Sequence, residues 1–142
     1  MTANVEISEA MFARLKTAPV TPTMPPIAWP NKPFTPVVGS PYLRATMMPA
    51  EPLTIASFVQ GENRYSGIMQ VDVFVPDGDG TKRATTIADI VGNHFKRGLT
   101  VAAQTFSILI RRPPYMLSPY KDGAWWGIPV RVYYIADVAN PP

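Results

Sequence analysis

The feature that most constrains this chain is a change of hydrophobic period inside one stretch, residues 64–95, RYSGIMQVDVFVPDGDGTKRATTIADIVGNHF. Met69, Val71, Val73 and Val75 recur every second residue, as the buried face of a pleated strand requires. The opposite face mixes Ile68, Gln70, Asp72 and Phe74, so it is expected to be half covered, by a neighbouring element or by another copy of the chain. Pro76-Asp77-Gly78-Asp79-Gly80 ends the strand, because proline donates no ladder hydrogen bond and glycine tolerates turn dihedrals. From Thr81 the period lengthens, and Ala84, Ile87, Ala88, Val91 and Phe95 fall on one helical stripe. Asp79 stands where an N-cap is expected and Gly98 where a C-cap is expected, while Lys96 and Arg97 suit the negative end of the helix dipole.

A first helix is predicted over residues 4–18, with Ile7, Met11, Leu15 and Ala18 one turn apart, Asn4 or Ser8 as its cap, and Pro19 as its stop. Prolines at 19, 22, 25, 26, 30, 33, 36 and 41 then forbid a regular helix and disfavour a central strand. Ile27, Trp29, Phe34, Val37 and Val38 are interleaved with them, so residues 19–41 are expected to form an extended arm over the chain's own sheet or a neighbouring subunit. Residues 41–48 alternate as a strand. A loop over 49–63 has an apolar middle of Leu53, Ile55, Phe58 and Val59. Residues 99–101 and 106–112 read as a hairpin, and 113–123 as a second long apolar loop carrying Tyr115, Met116, Leu117 and Tyr120. Residues 125–135 form the closing strand, with Pro129 pointing to an edge position or a bulge and a frayed tail over 137–142. The expected fold is a single α+β domain: a mostly antiparallel sheet of about four to five strands, two helices packed on it, and the proline-rich arm.

A chain of 142 residues removes about 68–70% of its unfolded surface from water, enough for one core without a metal or disulfide. Cysteine is absent, which excludes disulfides and thiolate chemistry. No apolar run approaches the roughly 20 residues a membrane helix needs, so no membrane association is expected. The formal charge of +3 is mild and dispersed.

Chemistry is sparse. His94, the single histidine, reads either as a general base or as a helix-end residue bonded to backbone carbonyls, and no nucleophile lies at a recognisable spacing from it. Asp72, Asp77, Asp79 and Asp89 lack the closing glutamate of a calcium loop; turn formation and capping are expected to account for them. Gly78-Asp79-Gly80 lacks the lysine placement of a phosphate loop. No enzymatic activity and no cofactor are expected. Arg111-Arg112 and Lys96-Arg97, with Trp125, Trp126, Tyr133 and Tyr134, allow a nucleic-acid-binding patch or strand-end charges beside a core aromatic cluster. Aromatic residues on both faces of one strand exceed what one core takes, and with the apolar loops they point to subunit contacts.

PYLR at 41–44, Tyr65-Ser66-Gly67, Gln70-Val71-Asp72-Val73, Pro76 before a glycine-rich turn, Ala88-Asp89, Phe95-Lys96-Arg97-Gly98-Leu99 and Ile128-Pro129-Val130 together resemble a family of small tailed-phage and prophage proteins. These are the tail terminators, also called tail-completion or minor tail proteins. The resemblance covers roughly residues 41–134 and leaves 19–36 outside it. It implies a virion protein, assembled in the host cytoplasm, that forms a hexameric ring on the head-proximal end of the tail tube. Such a ring stops tube growth, docks the head-tail connector protein and lets DNA pass through its lumen without specific binding. Candidate contacts with sister copies, tail tube or connector are Trp29, Phe34, Leu53, Ile55, Phe58, Arg111, Arg112, Tyr115, Met116, Tyr120 and Trp125. Another neck or tube component, or a nucleic-acid-binding module, is the alternative.

Overall fold

The computed structural model describes residues 3–141, and its two longest strands, 15 residues each, pair with one another along their whole length. In chain order the elements are α1 (Ala3–Lys16), β1 (Ile27–Ala28), β2 (Tyr42–Pro49), β3 (Leu53–Thr54), β4 (Glu62–Pro76), α2 (Lys82–His94), β5 (Thr100–Ala102), β6 (Ser107–Leu109), β7 (Tyr115–Met116), β8 (Tyr120–Asp122) and β9 (Trp125–Ala139). The sheet runs β1-β2-β4-β9-β6-β5, with β3 joined to β4 and with β7 and β8 joined to β9.

The alternation in β4 sets the layers. Met69, Val71 and Val73 face Val132, Val130 and Ile128 of β9, and Leu43 and Ala45 of β2 continue the same buried face. Ile7, Met11 and Leu15 of α1 and Ala84, Ile87, Ala88 and Val91 of α2 close over that face as one core with Phe95. Both helices therefore cover one side of the sheet. Their C-terminal ends are tied reciprocally: Arg14 donates through Nε and Nη2 to the His94 carbonyl at 3.2 and 3.0 Å, and His94 Nε2 lies 3.0 Å from the Arg14 carbonyl. Last-turn carbonyls have no partner within a helix, and this exchange supplies one to each. His94 is thus the carbonyl-bonded helix-end residue of the two readings.

The expected four-to-five-stranded, mostly antiparallel sheet is overturned: among the described residues the sheet is mixed and has nine strands, with β1 parallel to β2. Strands of two or three residues, such as β1, β3, β7 and β8, are too short to show a period in sequence. The loops at 49–63 and 113–123 accordingly contain sheet, and the arm contributes an edge strand. Pro129 sits neither at an edge nor at a bulge. Its carbonyl accepts from Leu117 at 2.9 Å, so its nitrogen faces the same side, in the gap between the β8 and β7 pairings where no donor is needed. Thr81, not Asp79, occupies the N-cap of α2, and Asp79 instead pairs with Arg83 at 3.6 Å. Gly98, at φ +89°, serves a turn in which Leu99 donates to the Lys96 carbonyl, beyond the helix end. Ser8 lies inside α1, bonded to the Asn4 carbonyl, and caps nothing. The frayed tail is also corrected: β9 continues to Ala139 with Val138 buried, and Asn140 donates to the Gly61 carbonyl; Pro142 lies outside the described residues.

Candidate assembly surfaces

β3, β4 and β9 run together as a ribbon that ends in a tip over residues 55–61. Ile55 and Ala56 donate to the Glu62 carbonyl at 3.0 and 3.4 Å, and Gly61 donates to Phe58 at 2.8 Å. Asn140 donates from its backbone to the Gly61 carbonyl and from Nδ2 to the Val59 carbonyl at 2.7 Å. A Cβ at Gly61 would run into the Ala56 carbonyl, which is why glycine stands there. On this hydrogen-bonded frame Leu53, Ile55, Phe58 and Val59 are 62, 47, 64 and 76% exposed. Four large apolar side chains exposed within seven residues mark this tip as a candidate contact surface.

The second projection is more inward-looking than its sequence implies. Tyr115 and Met116 on β7 are exposed, but Tyr120 and Trp125 are half-buried in an aromatic group. Tyr42 stacks on Phe74 at 4.8 Å, Trp125 meets Tyr42 edge-on at 5.0 Å, and Tyr120 meets Phe74 edge-on at 5.9 Å. Gly127 makes room, since a Cβ there would lie 2.7 Å from a Phe74 ring carbon. Beside this group the helix-free face carries a polar row: Asp72, 1% exposed, accepts from Arg44 at 3.2 Å and from Gln70 at 3.0 Å, and Gln70 accepts from Arg131 at 2.9 Å. Arg44 also donates to Tyr120 Oη at 3.1 Å. Burial, with the Asp72 carboxylate adding, pushes the Tyr120 phenol up to about 12, so it stays protonated. Asp72 is therefore explained as the buried half of an ion pair with the half-exposed Arg44, which corrects the expectation of a turn or capping role.

The arm is anchored on its own chain. Trp29 packs on Phe12 at 5.0 Å under Lys16, and Phe34 packs on Tyr42 at 5.2 Å. Of the eleven candidate residues, Leu53, Ile55, Phe58, Tyr115, Met116, Arg111 and Arg112 are exposed, whereas Trp29, Phe34, Tyr120 and Trp125 are half-buried within the molecule. Arg112 lies 4.4 Å over the Tyr133 ring. Between the arm and α2 lies a cleft of about 720 Å³, walled by Val20, Met24, Pro25, Val37, Ile87 and Ile90. Val37, an apolar residue of the arm, is 62% exposed beside it.

Among the described residues no group of acidic side chains and histidine is placed to hold a metal ion, and no helix is long and apolar enough to cross a membrane. Large apolar side chains stand exposed at the tip and on β7. The sequence profile of the phage tail terminator protein family matches residues 6–134, and the chain belongs to that family. It is a structural phage tail protein of the virion. One solved structure, 31% identical, superposes with a TM-score of 0.74 and covers 100% of this chain and 99% of its own. A chain of the virion of a native gene transfer agent particle aligns at 14% identity and a TM-score of 0.44, covering 91% of this chain and 84% of that one, a likeness too low to carry weight. No protein of curated function matches.

Proposed function

We propose that this chain forms a closed ring, a hexamer by its resemblance to the family, on the head-proximal end of the tail tube. There it stops tube polymerisation and offers the docking surface for the head-tail connector, with DNA passing through the lumen. The observation that carries this reading is the exposed apolar tip of residues 53–59 on a hydrogen-bonded frame, in a chain of the terminator family. Tube rings stack because the top of each fits the bottom of the next, a heterologous contact that does not close by itself. A terminator ends such a stack by fitting the tube below while presenting a different surface above.

Deleting the gene tests this. Heads full of DNA beside unattached tails of abnormal length are expected by electron microscopy, and tails of normal length joined to heads would refute it. Particles stalled with tails of correct length but no heads would instead favour another neck component.

A further inference from the structure

The apolar tip and the apolar cleft lie at opposite ends of the molecule. The tip precedes Glu62, where β4 begins, while the cleft is lined by Asp79, Lys82 and Arg83, just beyond Pro76 where β4 ends, and by Pro41 beside the start of β2. At about 3.3 Å per residue, the 15-residue strand separates them by roughly 50 Å. Because β4 is paired with β9 at every position of that length, the tip has no path back to its own cleft. The tip of a chain therefore does not occupy that chain's own cleft.

We propose that the tip of one copy seats in the cleft of the next, so that a second copy of this chain is the occupant of both. The inference rests on the ring reading above and gives that ring its subunit contact. Charge supports the pairing. The tip is flanked by exposed Glu51 and Glu62 and has no cation between residues 49 and 63, whereas the cleft rim carries exposed Lys82 and Arg83, of which only Arg83 faces a carboxylate, Asp79 at 3.6 Å. Phe58 and Val59 supply the apolar insert and Val37, Ile87 and Ile90 its receiving walls. Opposite ends of one chain meeting in this way make a head-to-tail contact, which closes into a ring when the rotation per step divides a full turn.

The absence of cysteine makes the contact directly testable. Ser57→Cys places a thiol beside the tip and Thr86→Cys places one on the cleft wall, both at exposed positions. The two single variants, mixed and assembled on co-expressed tail tube protein, are treated with a short bismaleimide. A dimer joining position 57 to position 86 is expected only in the mixture, and the doubly substituted chain is expected to give a ladder ending at the ring number. Phe58→Asp should raise the concentration at which rings dissociate by about tenfold or more, as loss of a buried aromatic anchor does, with no change in the thermal midpoint of the subunit. Rings visible by electron microscopy without the 57–86 link, links only between two copies of position 57, or links from position 57 to tube protein would overturn the contact and leave the ring reading standing. Absence of rings in every sample would overturn both.

Discussion

Replacing Asp72 by alanine should destabilise the chain by about 2 kcal/mol. Asp72 is 1% exposed and accepts from Arg44 on one oxygen and from Gln70 on the other. Removing one partner of a fully buried pair costs about 3–5 kcal/mol, because the charge left behind stays buried. Arg44 is 45% exposed, so its guanidinium turns to water and the loss falls toward that of a charge-assisted hydrogen bond, about 1.5–3 kcal/mol. At roughly 2–4 °C per kcal/mol, or somewhat more for a chain of this length, the thermal midpoint should drop by about 4–8 °C. Urea unfolding at neutral pH, followed by tryptophan fluorescence, measures it, and a cycle with Arg44→Ala should give a coupling of about 1 kcal/mol. Asp72→Asn, which keeps the shape and one acceptor, should lose about half as much. A loss below about 0.5 kcal/mol for Asp72→Ala, or strict additivity in the cycle, would show that the polar row on the helix-free face is not holding β2 to β4.

Two further outcomes follow from the packing. Burial, and then the nearby Arg14 guanidinium, hold the His94 imidazole below its usual range against the opposing pull of the Arg14 carbonyl. The folded state therefore binds this proton less readily than the unfolded chain. The contribution should be complete above about pH 6.5 and decline as pH falls from there through the lower folded value, a slope that His94→Gln should flatten in thermal melts between pH 7.5 and 5.5. Gly61→Ala should force the tip open against the Ala56 carbonyl, speeding limited proteolysis within residues 55–61 while shifting the thermal midpoint by less than about 2 °C, since this tip lies outside the core. Unchanged cleavage would show that the tip does not depend on that close approach.

The sequence made the long periodic elements readable because burial on one side imposes a repeat: Met69 to Val75 and Ala84 to Phe95 lie where their spacing put them. Period says nothing about strands of two or three residues, so the arm's pairing with β2 and the sheet contributed by β7 and β8 were hidden. Asp72 misled because a carboxylate in a strand looks solvated until Arg44 and Gln70 are brought beside it. The candidate surface divided along similar lines. Leu53, Ile55 and Phe58 stay largely exposed in the fold, whereas Trp29, Phe34, Tyr120 and Trp125 found rings of their own chain, a pairing over distances in sequence that local pattern does not encode. The cleft was invisible for the same reason, being made by two segments about 50 residues apart.

The full-length pairing of Glu62–Pro76 with Trp125–Ala139, clamped near its far end by the Arg64–Asp137 bridge at 2.8 Å, makes the centre of this protein a strut. Kinking it sharply at any one point would break rungs there, so the tip and the turn after Pro76 are joined by one continuous ladder. In the proposed ring, that ladder would run through each subunit from its tip to its cleft and so set the distance between a subunit's two neighbours.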